Sequence, residues 1–428
     1  LGKILIKDCA IVPISSPVIE KGVIAIDDDR LHYVGPTGGL PADWQPDTVI
    51  EAGDKVALPG LVNAHTHAAM TLLRSYADDL PLKQWLEEKI WPREDKLTRE
   101  DIYWGAKLAL LEMIRSGTTT FADMYFQMDA VAEAVVEAGL RACLSQGLIG
   151  LQDGQGKRLA AGVSLVKEWH GAGDGRVTTM LGPHAPYTCP PDYLTKVAKT
   201  AAGLGVGIHI HLAETKGEVE DIQARYGATP VALIEKLGLF DLPVLAAHCV
   251  HLTTEDISIL AEKKVGVAHC PESNLKLASG VAPVAAMLAA GVNVAIGTDG
   301  AASNNNLDMV AEMRTCALLA KGISGDPTVV PAHQALVMAT LNGARALGLE
   351  KDIGTLETGK KADLILVNKH QPHLMPPHNV EANLVYAARG SDVDTVIVNG
   401  KILMAAGEVK TLDAGEIYAQ VMKRAGRG

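Results

Sequence analysis

Positive charge is in short supply in this chain: 39 lysines and arginines face 50 acids, a net charge of −11. That balance excludes a surface made to track nucleic-acid phosphates. Long apolar runs are also missing. The longest stretch, Val281 to Gly297, is broken by Pro283, Gly291 and Asn293. A membrane span needs about 20 uninterrupted apolar residues, so this one reads as a helix followed by a strand. The six cysteines (Cys9, Cys143, Cys189, Cys249, Cys270, Cys316) are far apart and form no C-x-x-C, as expected of reduced, mostly buried thiols in a cytoplasmic protein. The N-terminal LGKILIKDCAIVPI alternates like a strand and shows no basic-then-apolar leader. No glycine-rich phosphate fingerprint follows a first strand, which disfavours a dinucleotide fold.

What is present is apolar: 48% of 428 residues, enough for a large core. Both ends alternate short strands with turns, and GKILIKDCAIVPI near the start resembles NGKILMAAGEV near the end. A small antiparallel β unit is expected at the N-terminus, joined by the C-terminus into one β-sandwich domain. Between the ends, eight apolar runs finish in polar residues, from VALPGLVNAHTH to VNVAIGTDG, with helical patterns between most of them. Strand–helix alternation repeated in this way predicts a (β/α)8 barrel of the TIM type. The expected division is 1–56 and 354–428 for the β domain and 57–353 for the barrel.

Chemistry-bearing residues collect at the strand ends. His65 and His67 are two apart on one strand, so both imidazoles face the same side. His211 ends the fifth strand with Glu214 three residues on, His248 ends the sixth, and Asp299 ends the eighth. A barrel gathers such positions into one mouth. Three neutral imidazoles and a carboxylate suit one borderline divalent ion, Zn²⁺ before Fe²⁺ or Mn²⁺. A water on such an ion is deprotonated near neutral pH. Glu214 then serves as acid and base, while His248 and Asp299 hold and deprotonate the water. His209, one layer deeper than His211, and His251 and His269 are read as structural.

PGLVNAHTH, HLAET, AAHCVH, SNLKLASG, GTDGAASNNNLD and GTLETGKKADLILV together resemble the amidohydrolase superfamily. Within it, the chain is similar to the 5′-methylthioadenosine/S-adenosylhomocysteine deaminases over essentially its whole length. The resemblance implies metal ligands His65, His67, His211 and Asp299. It also implies a proton from Glu214 to the ring nitrogen beside the amine-bearing carbon, and ammonia plus an inosine-type nucleoside as products. Binuclear members place a carboxylated lysine at the fourth strand end, where this chain has GPHAPYT with His184, so one metal per chain is expected.

For the substrate, the resemblance implies Glu94 on the ribose hydroxyls, His184 near the nucleoside, Trp85 packed against it, and Arg158 on an amino-acid carboxylate. Some relatives carry a second arginine where this chain has Gln146. Glutamine supplies neither charge nor a guanidinium fork, which predicts a shift towards substrates without a carboxylate. Competing readings are a mononuclear amidohydrolase of guanine, a pterin or a triazine, a binuclear amide or ring hydrolase, and a non-catalytic barrel scaffold. The partner expected is a small nucleoside rather than nucleic acid or membrane, and a homo-oligomer is left open.

Overall fold

The computed structural model describes residues 2–425. The chain opens with β1 (Lys3–Ile11), β2 (Ile19–Asp27), β3 (Arg30–Gly35), β4 (Thr48–Glu51) and β5 (Lys55–Pro59). The alternation expected of β1 places Ile4 and Ile6 inward with Ile24 and Ile26 of β2. This unit is not purely antiparallel, however: β1 runs parallel to both β4 and β5. After the β1–β3 meander the chain crosses back and refills the free edge of β1 in the same direction.

The barrel strands follow: β6 (Leu61–Thr66), β7 (Thr118–Tyr125), β8 (Arg141–Leu148), β9 (Val177–Pro183), β10 (Ile208–Leu212), β11 (Val244–His248), β12 (Gly266–His269) and β13 (Asn293–Ile296). They hydrogen-bond in chain order, each pair parallel, as eight buried strands of a nearly closed TIM-type barrel. Where β13 meets β6, closure comes from individual contacts. The Asp299 amide donates to the His65 carbonyl (2.9 Å), and the Asn63 side chain accepts from the Thr298 amide (3.0 Å) and donates to its hydroxyl (2.7 Å).

The last strands, β14 (Leu364–Asn368), β15 (Val393–Val398), β16 (Lys401–Ala405) and β17 (Glu408–Val409), return to the first sheet. Its order is β17-β16-β15-β14-β5-β1-β2-β3, with β4 beside β1. The two chain ends thus make one mixed sheet, because β5 pairs with β1 and also with β14. The alike segments β1 and β16 share it without touching. Val56–Pro59, read in the sequence as part of the first barrel strand, belongs to this sheet. Gly60 makes the corner into β6, where a Cβ would lie 2.0 Å from the Thr119 hydroxyl. The final helix, Ala414–Ala425, leaves the sheet and packs on the barrel helix Arg99–Arg115, with Arg424 Nε 3.1 Å from Asp101.

Sheet and barrel are locked by a buried ion pair. Arg141, at the start of β8, donates from Nε (2.9 Å) and Nη2 (3.1 Å) to Asp363, which also accepts the Asn399 amide (2.7 Å). Removing one partner strands the other charge in a nearly dry interior. Asp363→Ala is therefore expected to lower unfolding stability by about 3 kcal/mol, read from the urea midpoint. A loss below about 1 kcal/mol would show that the pair is not a lock.

Candidate active site and metal centre

The barrel brings His65, His67, His211, His248, Glu214 and Asp299 into one mouth, although the chain separates the first and last by 234 positions. Local hydrogen bonds decide which ring nitrogens face inward. His67 donates its Nδ1–H to the Met124 carbonyl (2.5 Å), and His211 donates its own to the His184 carbonyl (2.8 Å). Both Nε2 atoms then carry lone pairs, and they face each other at 3.3 Å. His65 Nδ1 pairs with His209 Nε2 (2.8 Å), leaving His65 Nε2 buried without a hydrogen-bond partner. Asp299 Oδ1 lies 3.4 Å from His65 Nε2 and 3.2 Å from His67 Nε2.

Three lone pairs and a carboxylate oxygen converging in a buried spot repel one another unless a cation lies among them. Burial pushes His65 down to about 4 and His211 well below the usual imidazole range, which keeps both neutral. Burial also opposes charge on His67, yet the Asp299 carboxylate lifts it to about 9. The cluster calls for a positive charge at this point. These residues fit a divalent metal bound by three imidazole nitrogens and one carboxylate oxygen.

The acid–base groups sit beside that cluster. His248 donates Nδ1–H to Asn274 Oδ1 (2.9 Å), so its Nε2 is an acceptor, 3.8 Å from Glu214 Oε2. Glu214 is buried, which raises its carboxyl above the usual range, and its Oε1 accepts from the Ser279 hydroxyl (3.1 Å). Asp299 Oδ2 accepts from Ser273 (2.6 Å) and Ser303 (2.9 Å). The turn that carries Glu214 has Ala213 at φ 52° and is braced by Glu218, whose two oxygens accept the amides of Ala213 and Glu214, each at 2.9 Å.

The cavity above these groups has an apolar wall, with Met70, Leu86, Trp91 and Leu277 among its members. Trp85 lines it from the helical segment 82–94. At the end of that segment, Glu94 lines it too; burial raises its carboxyl, and Oε1 accepts from the Tyr125 hydroxyl (2.6 Å). His184, held at Nδ1 by Thr188 (2.9 Å) and pushed down to about 3 by burial, presents a neutral ring.

Two residues expected at the substrate are placed otherwise. Gln146 is buried outside the lining, with its Cβ turned towards Gly162 of the helix Lys157–Trp169, while its neighbour Gly147 faces the cavity. Strand alternation is the reason. Arg158 is likewise not among the lining residues; it lies over the ring of Phe126 (5.3 Å) and is bonded to Gln152 (2.9 Å).

The amidohydrolase family model matches residues 56–403, which is most of the chain. The chain belongs to the amidohydrolase family.

Among its amidohydrolase relatives, a 5-methylthioadenosine/S-adenosylhomocysteine deaminase of Moorella thermoacetica is 86% identical over the full length of both chains. One of the same name from Pelotomaculum thermopropionicum is 57% identical, covering 99% of this chain and 98% of the relative. Among solved structures, a zinc-bound adenosine deaminase from Xanthomonas campestris superposes with a TM-score of 0.95 at 39% identity, over 99% of this chain and 98% of that one. A zinc-bound atrazine chlorohydrolase from Arthrobacter aurescens does so with a TM-score of 0.91 at 26% identity, over 99% and 100%.

Sequence reasoning missed the amidohydrolase site's supporting groups: Ser273, Asn274, Ser279, Ser303, Glu218 and Tyr125. Ser273, Asn274, Ser279 and Ser303 lie in the motifs SNLKLASG and GTDGAASNNNLD, which gave them no individual role, and T-x-x-E from Thr215 to Glu218 is a helix-capping pattern. His209 lies behind His65, consistent with a structural role.

Proposed function

We propose that this chain is a metal-dependent hydrolytic deaminase of adenosine-type nucleosides: 5′-methylthioadenosine, S-adenosylhomocysteine and adenosine. The observation that carries the nucleoside reading is Glu94. Tyr125 occupies one of its oxygens, and the other is left to accept from a vicinal diol beside the apolar wall of Trp85. A free base offers no such pair of hydroxyls. The relative at 86% identity carries the name of this activity.

His65, His67, His211 and Asp299 would hold one metal ion per chain, zinc by the chemistry of the donors and by the zinc-bound neighbours. Bound there, it supplies Lewis acidity that makes water nucleophilic at neutral pH. The protein's own groups do the rest. Glu214 gives a proton to the ring nitrogen next to the amine-bearing carbon as that carbon is attacked. His248, its Nδ1–H fixed by Asn274, accepts at Nε2, and Asp299 offers a second acceptor. His184 and Trp85 orient the purine. The amine leaves as ammonia once protonated.

All six cysteines are free and buried, which supports a reducing, cytoplasmic setting. Among the described residues, no helix is long and apolar enough to cross a membrane.

An ammonia-release panel on zinc-loaded protein tests the reading, using 5′-methylthioadenosine, S-adenosylhomocysteine, adenosine, adenine, guanine and guanosine. Turnover of the adenosine-type nucleosides and of neither free base is expected. With Gln146 turned away and no arginine or lysine lining the cavity among the described residues, kcat/KM for S-adenosylhomocysteine should fall below that for 5′-methylthioadenosine. Guanine as the sole substrate would replace the proposal with another amidohydrolase activity.

A further inference from the structure

The motif Ser273–Gly280 stands out in the sequence, yet none of its residues belongs to the metal cluster or the acid–base set. It forms the short helix Pro271–Lys276 and the turn behind it, and three of its side chains each touch a different proton-handling group. Ser273 Oγ donates to Asp299 Oδ2 (2.6 Å), Asn274 Oδ1 accepts from His248 Nδ1 (2.9 Å), and Ser279 Oγ donates to Glu214 Oε1 (3.1 Å). The turn is itself braced, because the Ser279 amide donates to the Asn274 carbonyl (2.9 Å) and His251 Nε2–H donates to the Ser279 carbonyl (2.6 Å). Gly280, at φ 126°, is needed there, since a Cβ would lie 2.9 Å from Val250 and 3.3 Å from the His251 ring.

We infer that this segment is the positioning element of the reaction and that Ser279 selects which oxygen of Glu214 carries the proton. The inference rests on the deaminase reading above. A carboxylic acid has one O–H and one carbonyl oxygen. Among the described residues the Ser279 hydroxyl has no acceptor but Glu214 Oε1; a proton on Oε1 would turn the serine into the acceptor and leave its own O–H unpaired, so the arrangement favours the proton on Oε2, the oxygen that faces His248. When Oε2 gives its proton to the ring nitrogen, the O–H bond breaks, an N–H bond forms, and the negative charge left on the carboxylate is met at Oε1 by a hydrogen bond already in place. Among the described residues, no other side chain hydrogen-bonds the Glu214 carboxylate. His251, read in the sequence as structural, serves this geometry by holding the Ser279 carbonyl. Ser279 is a positioning residue, since it acts through Glu214.

The test compares wild type, Ser279→Ala and Ser279→Thr as full-length, zinc-loaded proteins, with kcat and KM on 5′-methylthioadenosine and with metal content and Tm from the same preparations. Ser279→Ala is expected to lower kcat about tenfold while KM stays within about twofold and metal content and Tm are unchanged. Ser279→Thr, which keeps the hydroxyl, should restore most of the loss. Wild-type kcat in Ser279→Ala would overturn the inference. So would a kcat loss that comes with a matching loss of metal or Tm, or one that threonine leaves unrepaired. A wild type that releases no ammonia from any nucleoside would instead overturn the deaminase reading, so the two failures are distinguishable.

Discussion

Replacing Glu214 by glutamine is expected to lower kcat by about three orders of magnitude while metal content and KM change by no more than about twofold. The amide is nearly isosteric, so the turn braced by Glu218 and the contact from Ser279 have no steric reason to move. What it lacks is an acidic proton to give. Glu214 is close to the metal cluster but is not one of the four donors proposed for it, so its loss separates proton transfer from metal binding. The raised carboxyl of Glu214, a consequence of burial, points the same way, because it keeps the acid form populated nearer neutral pH. Rate and metal content measured on one preparation decide the matter. Retained turnover would remove Glu214 from the reaction, and lost metal would make it a ligand.

Stripping the metal with a strong chelator should abolish turnover, and adding back one equivalent of Zn²⁺ should restore it. Elemental analysis of the active protein is expected to give one ion per chain. The residue after the fourth strand is His184, whose ring is bonded to Thr188 and stands beside His211 (ring centroids 4.8 Å apart), so no lysine is there to bridge a second ion. Two tightly held ions per active chain would overturn the single-site arrangement. Stripping should also lower Tm, because an ion held by the folded chain alone stabilises it and that stabilisation is lost with the ion.

Why some of this could be read from sequence and some could not has a physical basis. His65 and His67 were legible because a strand has a period of two, and His211, His248 and Asp299 because each follows an apolar run that only a barrel stave explains. The parallel pairings of β1 with β4 and β5 were not, since parallel partners are chosen by crossover and leave no turn signature. The Arg141–Asp363 pair joins residues 222 positions apart, and neither sequence context differs from that of an ordinary surface charge. Gln146 was placed at the substrate by resemblance alone, whereas alternation along β8 gives that face to Gly147. Serines such as Ser273 and Ser279 carry no periodic or charge signal, so their partners appear only once the loops are folded.

The contact between the first and last barrel strands has a further consequence. It is a clasp rather than a seam, four hydrogen bonds among Asn63, His65, Thr66, Thr298 and Asp299, and two of those residues also face the metal cluster. Anything that empties the pocket therefore loosens the ring where it is fastened most lightly. Deuterium uptake at the Thr298 and Asp299 amides would register this first, while β7–β9, which hold one another through full ladders, stay protected. For a stored or ageing sample, those two amides are a gauge of how many molecules still hold their ion.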